Sequence, residues 1–230
     1  MSKIMVNDKS ISVPGETLAI GMDVLPGNGT YREGEKIIAN RLGLVMIDGR
    51  TIKLIPLSGR YIPKIGDTII CKVIDVGFNG WRLDTNSAYS AMLSMKDATS
   101  DFIARGANLT QYYDLGEYIV CKIVNVTSQK LIDVTMKGPG LRKLKGGRII
   151  EVDPNKVPRI IGKQGSMVIM IKDATKCNIS VGQNGLIWID GAPINELLAI
   201  QAIRKIEKES HLSGLTEKIK EFLEKNGKKH

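Results

Sequence analysis

The chain reads as a mainly β protein with a C-terminal α/β part, and three observations predict this. Most of the first 140 residues are short β-prone runs separated by turn dipeptides such as Pro14-Gly15, Pro26-Gly27 and Asp48-Gly49. After Gly138-Pro139-Gly140 the periodicity changes and helical stretches enter. Aromatic residues make up only 5% of the chain, so its cores must be built from Ile, Val, Leu and Met. With 230 residues, of which 43% are hydrophobic, there is material for one large domain or two to three small ones.

Residues 1–60 carry the runs ISVPGETLAI, DVLPGNGTY, RLGLVMIDG and TIKLIPL, which describe a small all-β unit. Over residues 61–140 five strands are expected: Thr68–Val76, Gly80–Thr85, Tyr89–Met95, Tyr118–Val126 and Leu131–Met136. A longer, partly helical excursion over residues 96–114 separates the third from the fourth. That arrangement suits a five-stranded OB-type barrel. Cys71 and Cys121 sit in the similar contexts IICKVIDV and IVCKIVNV and can face each other across neighbouring strands as buried thiols.

Residues 141–213 follow the order β-α-α-β-β-α. Arg148 to Val152 is the first strand. Asp153 as N-cap and Pro154 in the first turn start a short helix. Ser166 to Lys176 resumes as helix, and Asn178–Val181 and Leu186–Ile189 flank the hairpin turn Gly182-Gln183-Asn184-Gly185. Pro193 to Ser210 is a long amphipathic helix. Residues 214–230 add a last amphipathic helix, marked by Leu215, Ile219, Phe222 and Leu223, and a basic tail.

Charge narrows the class of partner. The net charge is +9, and its distribution is uneven: +2 over residues 1–60, zero over 61–140 and +7 over 141–230. A basic C-terminal part is the footprint of an anionic partner. Many of those lysines decorate helices and the tail, and service to solubility alone is the alternative reading of that excess. No apolar stretch approaches the roughly 20 residues that span a bilayer. The start, MSKIMVNDKS, lacks the apolar region of a secretion signal. The expected location is therefore the cytoplasm, with no membrane partner.

Catalytic and metal chemistry find few residues. The three cysteines form no CxxC pair, and the two histidines, His211 and His230, lie far from them in the chain. No zinc site, cofactor or Ser/His/Asp set is expected. Gly162-Lys163-Gln164-Gly165 lacks the spacing of a phosphate-binding ATPase loop.

That same turn is the sharpest signal in the chain. In Ile160-Ile161-Gly162-Lys163-Gln164-Gly165-Ser166-Met167-Val168 a helix must end, turn and restart with its new N-terminus facing a groove. Two glycines let the backbone approach a phosphate, and Lys163 supplies a compact charge for it. The branched residues Ile160, Ile161, Val168 and Ile179 are candidates for the floor of a groove that receives unstacked bases. Arg148, Lys156 and Arg159 are candidate backbone contacts beside the turn. A helix corner that no longer grips a ligand is the alternative reading of the glycines.

The segment IIGKQGSMVIMIKDATKCNISV and its element order resemble the KH family of RNA-binding domains. GDTIICKVIDVGFNGWRLDT followed by LGEYIVCKIVNV resembles an S1 domain, a barrel that binds single-stranded RNA by stacking bases beside a cationic track. Its candidates are Phe78, Trp81 and Tyr89 with Lys72, Arg82 and Lys122. The familiar histidine of the third strand is replaced by the Leu93-Ser94 region, and Trp81 reads equally as a core residue.

The order β unit, S1, KH, with VPGE at Val13–Glu16 and GNGTY at Gly27–Tyr31, resembles the RNA-binding cap subunit of the archaeal exosome. The resemblance implies a non-catalytic role. Three copies would sit on a hexameric ring of RNase PH-type subunits, docked through the N-terminal β unit, and feed RNA 3′ ends to its phosphorolytic sites. It also implies that Gly182-Gln183-Asn184-Gly185 supports packing of S1 against KH rather than RNA. A free-standing S1/KH factor in translation or transcription is the alternative. An S1-KH-KH elongation factor is not, because 20 residues after Ser210 cannot build another KH domain.

Overall fold

The computed structural model describes residues 3–104, 106–210 and 214–227. His211, His230 and the basic tail at Lys228 and Lys229 lie outside the described residues. The chain divides into two compact units, Met1–Gly59 and Arg60–His230.

Among its described residues the first unit holds eight short strands: β1 (Lys3–Ile4), β2 (Ile11–Ser12), β3 (Thr17–Ile20), β4 (Leu25–Pro26), β5 (Thr30–Glu33), β6 (Lys36–Ala39), β7 (Gly43–Asp48) and β8 (Thr51–Pro56). They form two four-stranded sheets, ordered β1-β3-β6-β5 and β2-β7-β8-β4. Both sheets supply one core, with Leu18 and Ile37 from the first and Val45, Ile52 and Leu54 from the second. The two motifs singled out here build turns. Glu16 accepts from the Ser12 hydroxyl at 2.8 Å and from the Val13 N–H at 3.1 Å. The Thr30 hydroxyl donates to the Ile52 carbonyl at 3.0 Å and accepts from the Gly27 N–H at 2.9 Å.

The second unit begins with the barrel. Its strands are β9 (Thr68–Val76), β10 (Gly80–Asp84), β11 (Ser90–Ser94), β12 (Tyr118–Val126) and β13 (Ile132–Thr135). The sheet runs β13-β11-β10-β9-β12 and closes through β12–β13 pairing, as the expected OB-type barrel does. The excursion between β11 and β12 contains α1 (Met95–Ala98) and a 3-10 turn at Leu109–Gln111. Alternation turns Ile69, Cys71, Val73, Leu83, Leu93, Ile119, Cys121 and Val134 inward. Cys71 and Cys121 are free thiols with their sulfurs 3.5 Å apart.

A strand that the periodicity does not predict, β14 (Arg142–Leu144), extends the barrel sheet by pairing with β12. It leads into β15 (Arg148–Glu151), α2 (Val157–Ile161), α3 (Ser166–Thr175), β16 (Asn178–Val181), β17 (Leu186–Asp190), α4 (Pro193–Glu209) and α5 (Leu215–Gly227). β15, β17 and β16 form an antiparallel sheet in that order. Its inward residues Ile179, Ile187 and Ile189 share a core with Val157, Ile160, Ile171, Ile203, Ile206, Ile219 and Leu223 from the four helices. No helix among the described residues is long and apolar enough to cross a membrane.

The barrel and the C-terminal domain share a second core. Ile69-Ile70-Cys71 and Ile119-Val120-Cys121 are buried on both faces of their strands. Ile70 and Val120, which point away from the barrel interior, pack with Leu144 and Trp188. The Trp188 indole N–H donates to the Gly146 carbonyl at 2.9 Å, and the Arg142 guanidinium lies 5.3 Å from its ring centre. Burying one large ring with its polar edge satisfied is an economical way to hold two small domains together.

Candidate nucleic-acid interface

Helix α2 is short because Gly162 ends it. Gly162 has φ 76° and ψ 176°, a region open essentially to glycine alone. Its N–H still donates to the Pro158 carbonyl at 3.0 Å. A side chain here would stand 2.7 Å from the Met167 Cβ and 2.8 Å from its backbone nitrogen. Gln164 and Gly165 then turn through left-handed conformations, at φ 52° and 81°, and α3 starts at Ser166. No side chain caps α3, and its first backbone N–H, that of Ser166, donates to the Lys163 carbonyl. Lys163 and Gln164 are exposed, and neither side chain has a partner among the described residues. The N-terminal end of a helix and an exposed lysine beside it together give this turn a positive electrostatic character.

The flanking candidates divide. Arg159 on α2 is exposed, and Lys156, one turn earlier, is half-buried. Arg148 is committed elsewhere: its Nε donates to Glu196 at 2.7 Å, and that carboxylate is nine-tenths buried and also accepts from the Gly191 N–H. Leaving Glu196 buried without its cation would be costly, so Arg148 is corrected from a phosphate contact to a structural ion pair. Ile160 and Ile179 are likewise corrected. They lie in the domain core, and only Ile161 and Val168 are half-buried, packed against its edge.

The second glycine turn is closed. Asn184 is fully buried between the two domains. Its Oδ1 accepts from the Ile70 N–H at 3.2 Å, and its Nδ2 donates to the carbonyls of Ile70 at 2.7 Å and Thr85 at 2.8 Å. The Gln183 N–H adds a bond to the Thr68 carbonyl at 2.9 Å. Asn184 thus supplies three hydrogen bonds to barrel backbone.

On the barrel, Trp81 is corrected from a stacking platform to a core residue. It is fully buried, its indole N–H donates to the Tyr113 carbonyl at 2.8 Å, and its ring meets the Tyr113 ring edge-on at 5.2 Å. The signal was in the strand: in Trp81-Arg82-Leu83-Asp84 the tryptophan shares its face with Leu83, not with Arg82. Phe78 has the opposite fate, standing 97% exposed in the β9–β10 loop, while Tyr89 is partly exposed.

Lys72, Arg82 and Lys122 are exposed but form no common track. Lys72 lies against the Tyr118 ring and opposite Asp84. Arg82 sits opposite Asp75, 3.7 Å from its carboxylate. Lys122 is opposite Thr68, about 13 Å along the strand from Lys72. Arg82 borders a groove of about 800 Å³ that also exposes Asp75, Asp97 and Asp133. Sequence reasoning did not gather those carboxylates, which come from three separate elements. Asp133 lies on the outward parity of β13 and Asp97 on α1, whereas Asp75 shares the parity of the inward Cys71 and Val73 and is turned outward by a bulge in β9.

Comparison with known proteins agrees with both domains. Residues 60–105 match the family described as "RRP4, S1 domain", and residues 147–195 match the KH domain family. Exosome complex component Rrp4 of Pyrococcus abyssi is 44% identical over 227 residues, covering 97% of this chain and 85% of that protein. The Rrp4 component of Methanobrevibacter smithii is 42% identical, over 96% and 72% of the two chains. That of Thermoplasma acidophilum is 40% identical, over 94% and 90%. A crystal structure described as that of an exosome complex RNA-binding protein superposes with a TM-score of 0.66 at 33% identity, covering 74% of this chain and 98% of the other. With a matching S1 barrel, a matching KH domain and alignment through the N-terminal β unit, the chain belongs to the Rrp4 family of exosome complex components.

Proposed function

We propose that this chain is a non-catalytic RNA-binding cap subunit of an exosome in the cytoplasm. It captures single-stranded RNA and feeds 3′ ends to a phosphorolytic ring that carries the chemistry. The observation that carries this reading is the open Gly162–Gly165 turn, with its unpartnered Lys163 and uncapped α3, in a chain that aligns with Rrp4 almost from end to end. RNA contacts are assigned to Gly162, Lys163, Gln164, Gly165, Arg159 and Lys156 on the KH domain and to Phe78 on the barrel, with Lys72, Arg82 and Lys122 as weaker electrostatic contributors.

The ring partner is a hexamer of RNase PH-type subunits bearing three copies of this chain. The first unit supports this assignment by its surface. Met22, Ile11, Leu25, Val13 and Met5 are all more than half exposed there. These five exposed apolar side chains on a 59-residue unit are available to a docking partner.

Native mass spectrometry of complexes captured with the full chain, and with a variant lacking residues 1–59, tests the proposal. The expected result is ring subunits with three copies of the chain, lost on truncation. Recovery of RNA alone with both forms would overturn the ring assignment and leave a free RNA-binding factor.

A further inference from the structure

The groove beside Arg82 crosses an outer sheet face of the barrel. Strand register lines up Asp75 of β9, Arg82 of β10, Met92 of β11 and Asp133 of β13 across it. Its middle is apolar: Met92 is 50% exposed there, and Val124 of β12 is 44% exposed. Apolar side chains left open on a sheet face and rimmed by polar groups mark an interaction surface.

Charge selects the occupant. Each of the three carboxylates on the rim is held through one oxygen. Asp75 Oδ2 lies 3.7 Å from Arg82, Asp97 Oδ2 accepts from the Ser94 hydroxyl at 2.7 Å, and Asp133 Oδ2 accepts from the Asn125 amide at 3.0 Å. The other oxygen of each has no partner among the described residues. Three carboxylates against one guanidinium leave this groove negative, on a chain whose net charge is +9. At physiological salt charges are screened over about 8 Å, so an incoming segment responds to the groove and not to the distant lysines. A polyanion laid here would be repelled, and a cationic segment attracted.

Spacing narrows the occupant further. Neighbouring strands lie about 4.8 Å apart, so Asp75 and Asp133, three strands apart in the sheet order, are separated by up to roughly 14 Å, with Met92 between them. An extended chain repeats same-face side chains about every 6.8 Å, so its positions i and i+4 span about 13.5 Å. We infer that this face docks an extended protein segment carrying basic, apolar and basic side chains at alternate positions. The outer cations pair with Asp75 and Asp133, and the central side chain covers Met92. This goes beyond the RNA-capture reading and does not depend on it.

The probe is a dye-labelled peptide, Gly-Ser-Lys-Ser-Leu-Ser-Lys-Ser-Gly, with a glutamate-for-lysine peptide as control, and binding to the full chain is read by anisotropy. The lysine peptide is expected to bind and the glutamate peptide not to. Asp75→Asn combined with Asp133→Asn, both exposed and nearly isosteric, should weaken binding about tenfold, and Met92→Ala about threefold, with unchanged thermal unfolding. Glu221→Gln, an exposed carboxylate on α5, should bind like the unaltered chain. A carbodiimide condenses a lysine amine with a carboxylate, with loss of water, and the cross-links should map to Asp75, Asp97 or Asp133.

Equal binding by the doubly substituted and unaltered chains would overturn the docking face, and so would cross-links confined to other carboxylates. If the lysine peptide fails to bind while affinity for single-stranded RNA falls with Met92→Ala, the face serves nucleic acid and the inference is overturned. Failure of the peptide to bind, with RNA affinity unmoved by Met92→Ala, overturns it equally.

Discussion

Two glycine-framed turns in one domain, Gly162-Lys163-Gln164-Gly165 and Gly182-Gln183-Asn184-Gly185, share a pattern and differ in almost everything the pattern does. The first is open: Lys163 and Gln164 face solvent, and the uncapped start of α3 lies beside them. The second is buried: Asn184 is inaccessible, and its amide satisfies backbone of a strand 114 residues earlier. Glycine supplies the backbone conformation in both. The central residues and the neighbour decide whether the turn stays open to solvent or binds the protein itself.

The largest effect is expected from breaking the closed turn. Asn184→Ala deletes three hydrogen bonds and strands the Ile70 N–H and two carbonyls in a buried interface. A loss of about 3 kcal/mol is expected in urea unfolding. Emission from Trp188, which lies in the same interface, should shift to the red before global unfolding.

In the open turn the two glycines are unequal. Gly162→Ala combines a glycine-only conformation with contact on the Met167 backbone, and about 2 kcal/mol of destabilisation is expected. Gly165→Ala meets only Ile169, at an ordinary 3.7 Å, and should cost about 1 kcal/mol. Equal costs measured by thermal unfolding would erase the distinction.

Lys163→Asp separates ligand from fold. RNA affinity should drop about tenfold, and the slope of log affinity against log salt should fall by about one, with stability unchanged. A matched substitution at Gln183 in the closed turn should leave the salt slope alone.

The smallest effect sharpens the interface on its barrel side. Burial pushes the Glu117 carboxyl up, but Lys143 of β14 donates to it and the net result is a lowered value. A group held low in the folded state stabilises above its ordinary pKa and loses that contribution as pH falls through the lowered value. Stability should therefore drop below about pH 4 by at most roughly 1 kcal/mol for this part-exposed pair, and Glu117→Gln should flatten that portion of the profile.

The regularities that can be read from sequence are local ones. Thr68–Val76 and Tyr118–Val126 are strands over those same residues because alternating β-branched runs bounded by turn dipeptides have few other solutions. The Gly162–Gly165 frame was legible because it interrupts a helical pattern at a place only glycine tolerates. β14 escaped detection because Arg142-Lys143-Leu144 has no apolar alternation; it is a strand through its partner β12 and the Lys143–Glu117 pair. Trp81 sat on a legible inward parity beside Leu83, whereas the exposure of Phe78 on a loop had no period to report it.

By itself, then, the sequence determined the element order, the closed barrel, the β-α-α-β-β-α domain and the glycine frame of the Gly162–Gly165 turn. Each of these follows from backbone conformation and from spacing within a few residues. Only the tertiary structure decided that Arg148 serves Glu196, that Asn184 serves the barrel, and that carboxylates gather beside Arg82. Those outcomes depend on which distant residues meet. The availability of a side chain for binding is settled by its partners, and partners separated by 48 or 114 positions leave no local periodicity to read.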